Sequence, residues 1–118
     1  MIHSYAELRA FALSLNLPQV EDSTGWGNPC LKAHGKMWVW WSPYADAAVF
    51  KCDFDEREML LQADPDTFTL HPHYTNHRFI LVKAGHIDPT WAAPRLTQTW
   101  RALAPKRWLK SWDATLPN

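Results

Sequence analysis

The sequence is poor in cysteine and has no long apolar run. Its 118 residues contain no stretch approaching the ~18 consecutive apolar positions of a membrane-spanning helix. Residues 1–9 lack the basic start and apolar run of a secretion signal. Cys30 and Cys52 are the only cysteines and form no Cys-x-x-Cys pair, which argues against a disulfide framework. We therefore expect a reduced, cytoplasmic protein with no membrane partner.

Sequence signatures of catalysis are also missing. There is no P-loop, no Gly-x-Gly-x-x-Gly turn and no His-Glu-x-x-His pair. Cys30 has no local signature of a catalytic thiol, and a free buried cysteine usually acts as a small hydrophobe. The acidic residues from Asp53 to Glu58 fit the start of a helix, where carboxylates cap the chain and complement the dipole. We predict no enzymatic activity and no cofactor.

What is present is the composition of a globular domain. The chain is 47% hydrophobic and 20% charged, unlike a disordered tail. A chain of this length buries about two thirds of its unfolded surface, which is enough for one core. We expect a single domain over residues 1–118. Tryptophan is abundant, and we interpret it first as core and interface mass; the eight are Trp26, Trp38, Trp40, Trp41, Trp91, Trp100, Trp108 and Trp112.

Local patterns predict helices and strands in a definite order. Ser4 and Glu7 have the spacing of a capping box, and apolar residues at helical spacing predict a first helix over 5–15. Asp53 predicts the start of a second helix over 54–62. Residues 21–27 are predicted to be a polar turn. Strands are predicted over 29–33, 37–41, 47–52, 68–70 and 77–83.

The last helix has two possible starts. Asp88-Pro89 is a good cap and first turn, whereas Pro94 would either kink the helix or mark its true beginning. The helix runs to Ala104, and residues 106–112 are compatible with a further short helix after Pro105. The predicted order is helix, three strands, helix, two strands, helix, joined by short links. This order is typical of a two-layer α+β fold, an antiparallel sheet with helices packed on one face.

Charge is unevenly distributed although the formal net charge is zero. Residues 1–70 carry five basic and ten acidic side chains, whereas residues 71–118 carry seven basic and two acidic. A segment without any carboxylate, interleaved with Trp100 and Trp108, contains Arg95, Arg101, Lys106, Arg107 and Lys110. Cations and planar rings are the composition of a nucleic-acid surface. The alternative is a solvated helix face whose cations lie near the C-terminus, where the dipole favours them.

Two other patterns invite a chemical interpretation. His71, His73 and His77 have a spacing that suits a divalent transition metal, or else they pin a proline-containing loop through hydrogen bonds. In the strand over 37–41, alternation would place Trp38 and Trp40 on one face, with at least one face in the core.

Five groups of residues occur in a definite order along the chain. They are Trp26-Gly27-Asn28-Pro29; Lys32 with Gly35-Lys36-Met37; Glu56-Arg57 with Leu60-Leu61 and Asp64-Pro65; Phe68 with Pro72-His73-Tyr74; and Trp100-Arg101 with Ala104-Pro105-Lys106-Arg107. Together they resemble the MmcQ/YjbR family of small bacterial proteins over nearly the whole chain. The resemblance implies a fold similar to that of secretion chaperones, with a double-wing, CyaY-like DNA-binding arrangement and no enzymatic reaction. The matching positive residues are Lys32, Lys36, Arg101, Lys106 and Arg107.

From the resemblance and the charge pattern we predict a DNA-binding protein. Arg101, Lys106 and Arg107 would bind phosphates, and Lys32 and Lys36 of the first hairpin would extend the surface. Arg101 has an alternative role, because its head group can pair with a carboxylate instead. The rival hypothesis is a protein-interaction module, binding a protein partner or a second copy of the chain. It would use an exposed apolar patch of Trp38, Trp40 or Trp112.

Overall fold

The computed structural model describes residues 1–117 and confirms the predicted α+β class. The helices are α1 (Tyr5–Ser14), α2 (Phe54–Ala63), α3 (Pro89–Leu103) and α4 (Lys106–Thr115), with a single 3-10 turn at Pro72–Tyr74. The strands are β1 (Val20–Gly25), β2 (Asn28–Ala33), β3 (Lys36–Trp41), β4 (Ala47–Lys51), β5 (Phe68–Thr69) and β6 (Phe79–Lys83).

The six strands form one antiparallel sheet in the order β1-β2-β3-β4-β6-β5. Two tight turns join the first three strands. Trp26 and Gly27 both have positive φ, as do His34 and Gly35, which is the backbone that two-residue hairpins of the I′ class require. The β1–β2 and β2–β3 turns therefore lie at opposite ends of the sheet.

Strand β1 replaces the predicted polar turn over 21–27, so that part of the prediction is wrong. Its sequence is polar, and the strand buries little apolar surface because it lies at the sheet edge. Backbone pairing with β2 holds it in place, with Val20 opposite Ala33 and Gly25 opposite Asn28. Such an edge strand has no alternation of apolar and polar residues, so the sequence pattern did not predict it.

A bulge in β3 overturns the predicted placement of its tryptophans. Leu31 pairs with Val39 and Lys32 with Met37, so Trp38 is an extra residue on its strand. The bulge turns Trp38 to the side of Val39. Trp38 then packs in the helix-side core, whereas Trp40 lies in a smaller cluster on the opposite face.

The helices pack on one face of the sheet, as predicted. The helix-side core joins Phe50 and Ile80 of the sheet to Leu8 of α1, Leu96 of α3 and Trp100. Apolar side chains of α2 and α4 pack against the same core. Burial of these side chains is the main stabilising contribution of the fold. The opposite face is covered only in part, by Tyr74 and Phe79 over Trp40.

The helix starts agree with the sequence signals. Ser4 Oγ accepts from the Glu7 N–H at 3.2 Å, and Asp88 Oδ1 accepts from the Thr90 N–H at 2.9 Å. The last long helix therefore begins at Pro89, and Pro94 lies within it. Asp53 occupies the N-cap of α2 but makes no side-chain capping bond. No helix in the described part of the chain is long and apolar enough to span a bilayer.

Candidate functional site

The C-terminal basic segment is divided between two helices. Helix α3 ends at Leu103, and α4 begins at Lys106 after Ala104 and Pro105. Proline lacks the backbone N–H that a continuous helix would need at position 105. The segment therefore contains a second helix start, with its own unpaired N–H groups and its own dipole.

Lys106 and Arg107 lie in the first turn of α4, where the helix dipole is positive. That turn has no acidic residue, and no side chain caps it. Cations at this end are unfavourable for helix stability, so the interpretation based on a helix C-terminus does not apply to them. Lys106, Arg107 and Lys110 are exposed, and none forms an ion pair within residues 1–117.

Two of the five cations in the segment are held by carboxylates. Arg95 pairs with Glu56 of α2 and donates to the Lys51 carbonyl at 3.3 Å. Arg101 donates to both oxygens of Asp113, at 2.9 and 2.8 Å. This hydrogen-bonded pair lowers the pKa of Asp113 and raises that of Arg101. Arg101 thus ties α3 to α4 and is not a free cation.

The β2–β3 turn packs directly against the start of α4. The His34 ring lies 4.8 Å from the Trp108 ring and 5.0 Å from the Trp100 ring, measured between centroids. His34, Pro105 and Trp108 also line one shallow cavity. The turn and α4 are therefore neighbours, and Lys36, exposed at the start of β3, lies two residues beyond this contact.

Lys32 does not lie on the same side of the hairpin as α4. It pairs with Met37 and with Glu21, and Met37 packs in the cluster on the sheet face opposite the helices. Lys32 is half-buried there. The structure thus places Lys36, Lys106 and Arg107 on the helix side of the hairpin, and Lys32 on the other side.

Lys51 was missed by the sequence interpretation. The pKa of its ammonium is lowered, chiefly by burial and further by the charge of Lys36. The ammonium lies 5.6 Å from the Phe79 ring centroid, on the sheet face opposite the helices. The only sequence signal was a cation at the end of a predicted strand. Such a signal does not predict which residues of the neighbouring strands surround the side chain.

The three histidines do not converge on a metal site. His71 Nδ1 accepts from the His73 N–H at 3.1 Å, and both rings contact Tyr44. His77 instead stacks on Phe79. Within residues 1–117 no three His, Cys, Asp or Glu side chains form a group suited to a metal ion. The arrangement matches the alternative of histidines that pin a proline-containing loop.

The expected apolar patch of tryptophans is not formed by the residues that were considered. Trp38 and Trp40 are buried, and Trp112 is half-buried with its ring 4.8 Å from that of Trp100. The exposed tryptophan is Trp26, with 76% of its surface accessible. It lies at the tip of the β1–β2 turn with its ring 5.9 Å from that of the buried Trp40, and by itself it is not a broad apolar surface.

Comparisons with known proteins agree with this architecture. A family model described as YjbR matches residues 15–102. The crystal structure of the Deinococcus radiodurans protein DR2400, described with a DUF419 domain, is similar with a TM-score of 0.66. The sequences are 15% identical, and the similarity covers 86% of this chain and 79% of that one, which shows a shared fold. No curated protein matches the sequence.

Proposed function

The chain belongs to the YjbR family, as its sequence motifs predicted, and on that premise we propose that it is a non-catalytic DNA-binding protein. It contacts phosphates through a surface that we call the basic surface: Lys36 of the β2–β3 turn with Lys106, Arg107 and Lys110 of α4. Lys32 and Arg101 are outside this proposal, because one lies on the other sheet face and the other is paired with Asp113.

The position of Lys106 and Arg107 carries the proposal. Two unpaired cations in the first turn of a helix oppose the dipole and cost stability. An anion at the same place would be favoured by the cations, by the dipole and by the free N–H groups of the first turn. Phosphate groups of nucleic acid supply such anions in succession, and Lys110 follows Lys106 and Arg107 by one helical turn.

Charge balance sets the character of the binding. A net charge of zero gives weak long-range attraction to DNA. Affinity should therefore depend on local phosphate contacts, which weaken as salt increases because counterion release is lost. We expect modest binding with little sequence preference, since none of these contacts requires a base edge.

The test is a titration of labelled duplex DNA at several salt concentrations, with a Lys106→Glu/Arg107→Glu variant beside the parent. The parent should lose affinity as salt rises. The variant should bind more weakly, with the slope of log affinity against log salt smaller by roughly 2, as expected for two lost phosphate contacts. A matched control is Arg78→Glu/Lys83→Glu, which changes net charge equally at the residue before β6 and at its last residue. Affinity that is flat with salt, or equal in the two double variants, would refute the proposal.

The same variant carries its own folding control. Glutamates in the first turn of α4 complement the dipole, and each should stabilise the helix by about 0.3–1 kcal/mol. Thermal unfolding should therefore show a Tm no lower than that of the parent. Weak DNA binding together with an undiminished Tm assigns the loss to the missing cations.

A further inference from the structure

A second surface feature lies at the opposite end of the sheet from the basic surface. It is a cleft of about 300 Å³, a volume at the small end of the range for small-molecule sites. The β1–β2 turn, the β3–β4 connection and the segment after the 3-10 turn surround it. Aromatic rings dominate its walls, which are lined by Trp26, Trp40, Tyr44, His73, Tyr74 and His77, with Asn28, Gly25 and Pro43.

Trp40 lines the cleft and leaves one hydrogen-bond donor unused. Its side chain is almost fully buried, at 3% exposure, and its indole N–H has no acceptor. The other buried indoles are satisfied: Trp38 donates to the Leu96 carbonyl at 3.0 Å, and Trp100 donates to the Pro18 carbonyl at 2.7 Å. An unmade bond of this kind is costly, and the N–H of indole can only donate. The N–H is covered in the structure, so a ligand acceptor would reach it only after a side chain in the wall of the cleft moves.

The β1–β2 turn does not require a tryptophan at position 26, where Trp26 packs on Trp40. Its φ is +51°, which is unfavourable for a bulky residue, and 76% of its surface is exposed. Its ring centroid lies 5.9 Å from that of Trp40. Exposed aromatic area at a strained turn contributes little to the core, and such strain is common at functional sites. Trp26 presents a flat apolar surface in the same cleft wall as Trp40.

The other walls restrict the chemistry of the occupant. No carboxylate lines the cleft within the described residues, so a cation would find no counter-charge. Asn28 uses its amide nitrogen to bind the Trp26 carbonyl at 3.2 Å, which leaves its side-chain oxygen as an acceptor. The half-exposed ring of Tyr44 is held by His73 at 4.3 Å between centroids. The cleft thus offers flat rings, the Asn28 side-chain oxygen as an acceptor, and the polar atoms of Tyr44, His73 and His77.

We infer that this cleft binds a nucleobase. A nucleobase is planar, stacks on aromatic rings and carries acceptors and donors on the edge of the ring. It would stack on Trp26, present an acceptor to the Trp40 N–H and a donor to Asn28. The base can belong to a free nucleotide or to an unpaired residue of a strand. This site is separate from the basic surface and does not depend on duplex binding.

The test uses protein with ¹⁵N-labelled tryptophan, titrated with the four nucleoside monophosphates and, separately, with short single-stranded oligonucleotides. Indole N–H resonances of Trp26 and Trp40 should shift, and that of Trp112 should not. Trp26→Ala should weaken binding by about tenfold, the effect of losing one stacking partner. Trp40→Phe, which keeps a ring but removes the donor, should also weaken it, whereas the matched Trp112→Phe should not.

The two sources of the base give different results. Shifts with monophosphates assign a free nucleotide, and shifts with oligonucleotides alone assign an unpaired residue of a strand. Lys106→Glu/Arg107→Glu should leave monophosphate binding unchanged, so failure of duplex binding and failure of this site are distinguishable. The inference is overturned if no nucleotide shifts the Trp26 and Trp40 resonances. It is also overturned if N-acetyltyrosinamide, a peptide-like probe, shifts them at lower concentration than any nucleotide.

Discussion

Arg57 donates from Nη1 to the main-chain carbonyl of His77 at 2.7 Å, which fastens α2 to the loop before β6. Its other nitrogen, Nη2, donates to the Thr75 carbonyl at 3.0 Å. The guanidinium lies 4.8 Å from the Phe54 ring centroid, and the residue is only 5% exposed. Arg57 is thus a buried cation held by main-chain carbonyl oxygens. Its role is structural, which the family motif alone did not reveal.

We therefore expect Arg57→Ala to lower the free energy of unfolding by about 3 kcal/mol, because several charge-assisted hydrogen bonds are lost and buried carbonyls are left unpaired. Arg57→Lys should recover only part of this, since an ammonium cannot reproduce the planar fork. Urea unfolding measures both. Glu58→Ala, exposed on the same helix, should change the value by no more than about 0.5 kcal/mol. An Arg57→Ala variant as stable as this control would contradict the assigned role.

Removing the partner of Arg101 should strengthen DNA binding. Asp113→Asn replaces a carboxylate that accepts at both oxygens with one neutral acceptor, so Arg101 is held less tightly, and it removes a negative charge beside the basic surface. If Arg101 then contacts one phosphate, the salt slope should steepen by about 0.9. The duplex titration measures both changes. Asp66→Asn, an exposed change of equal charge elsewhere, is the control. Equal affinities of the two variants would count against phosphate binding at this face.

The pH dependence of stability should report on His34. Burial lowers its pKa below the ordinary value of 6.5, and its Nε2 has no partner. The unfolded chain therefore binds a proton more readily than the folded chain. The stabilising contribution of neutral His34 is therefore fully present above pH 6.5, the pKa of the unfolded chain. It is lost as the pH falls from 6.5 through the lower pKa of His34 in the folded protein.

His34→Asn should remove this component of the pH dependence. Asparagine tolerates the positive φ of 54° at this turn and does not titrate. Urea unfolding at several pH values on both sides of 6.5 should show a smaller loss of stability at acid pH than in the parent. His86→Asn, which removes an exposed histidine, should keep the dependence of the parent. A variant at His34 that loses stability as steeply as the parent would contradict the assignment.

The sequence was sufficient where local chemistry decides the structure. The Ser4 cap predicted a helix over 5–15, and the structure has Tyr5–Ser14. The aromatic strand over 37–41 appears as Lys36–Trp41. Capping and β propensity act within a few residues, so they can be recognised in one chain. The fold class followed, because the order of elements with short links restricts the topology.

What the sequence could not supply depends on neighbours that are distant in the chain. Strand β1 is held by pairing with β2, and the bulge at Trp38 depends on the register of that same neighbour. The candidate cations could be named from the sequence, but only the fold separates Arg101, paired with Asp113, from the exposed Lys106. Likewise, the lack of an acceptor for the Trp40 N–H can be recognised only when the positions of all nearby acceptors are known.

Strand β1 also affects how copies of the protein meet. A chain without net charge has little general repulsion between molecules, and an open strand edge is a place where a second copy can add by backbone pairing. Glu21 and Asp22 are exposed on that edge. Asp22 is paired with Arg9 of α1, which donates to both its oxygens at 2.6 Å, so Glu21 is the acidic charge that a second edge would meet. The charge of Glu21 thus opposes edge-to-edge pairing locally, which the balanced composition of the whole chain does not do.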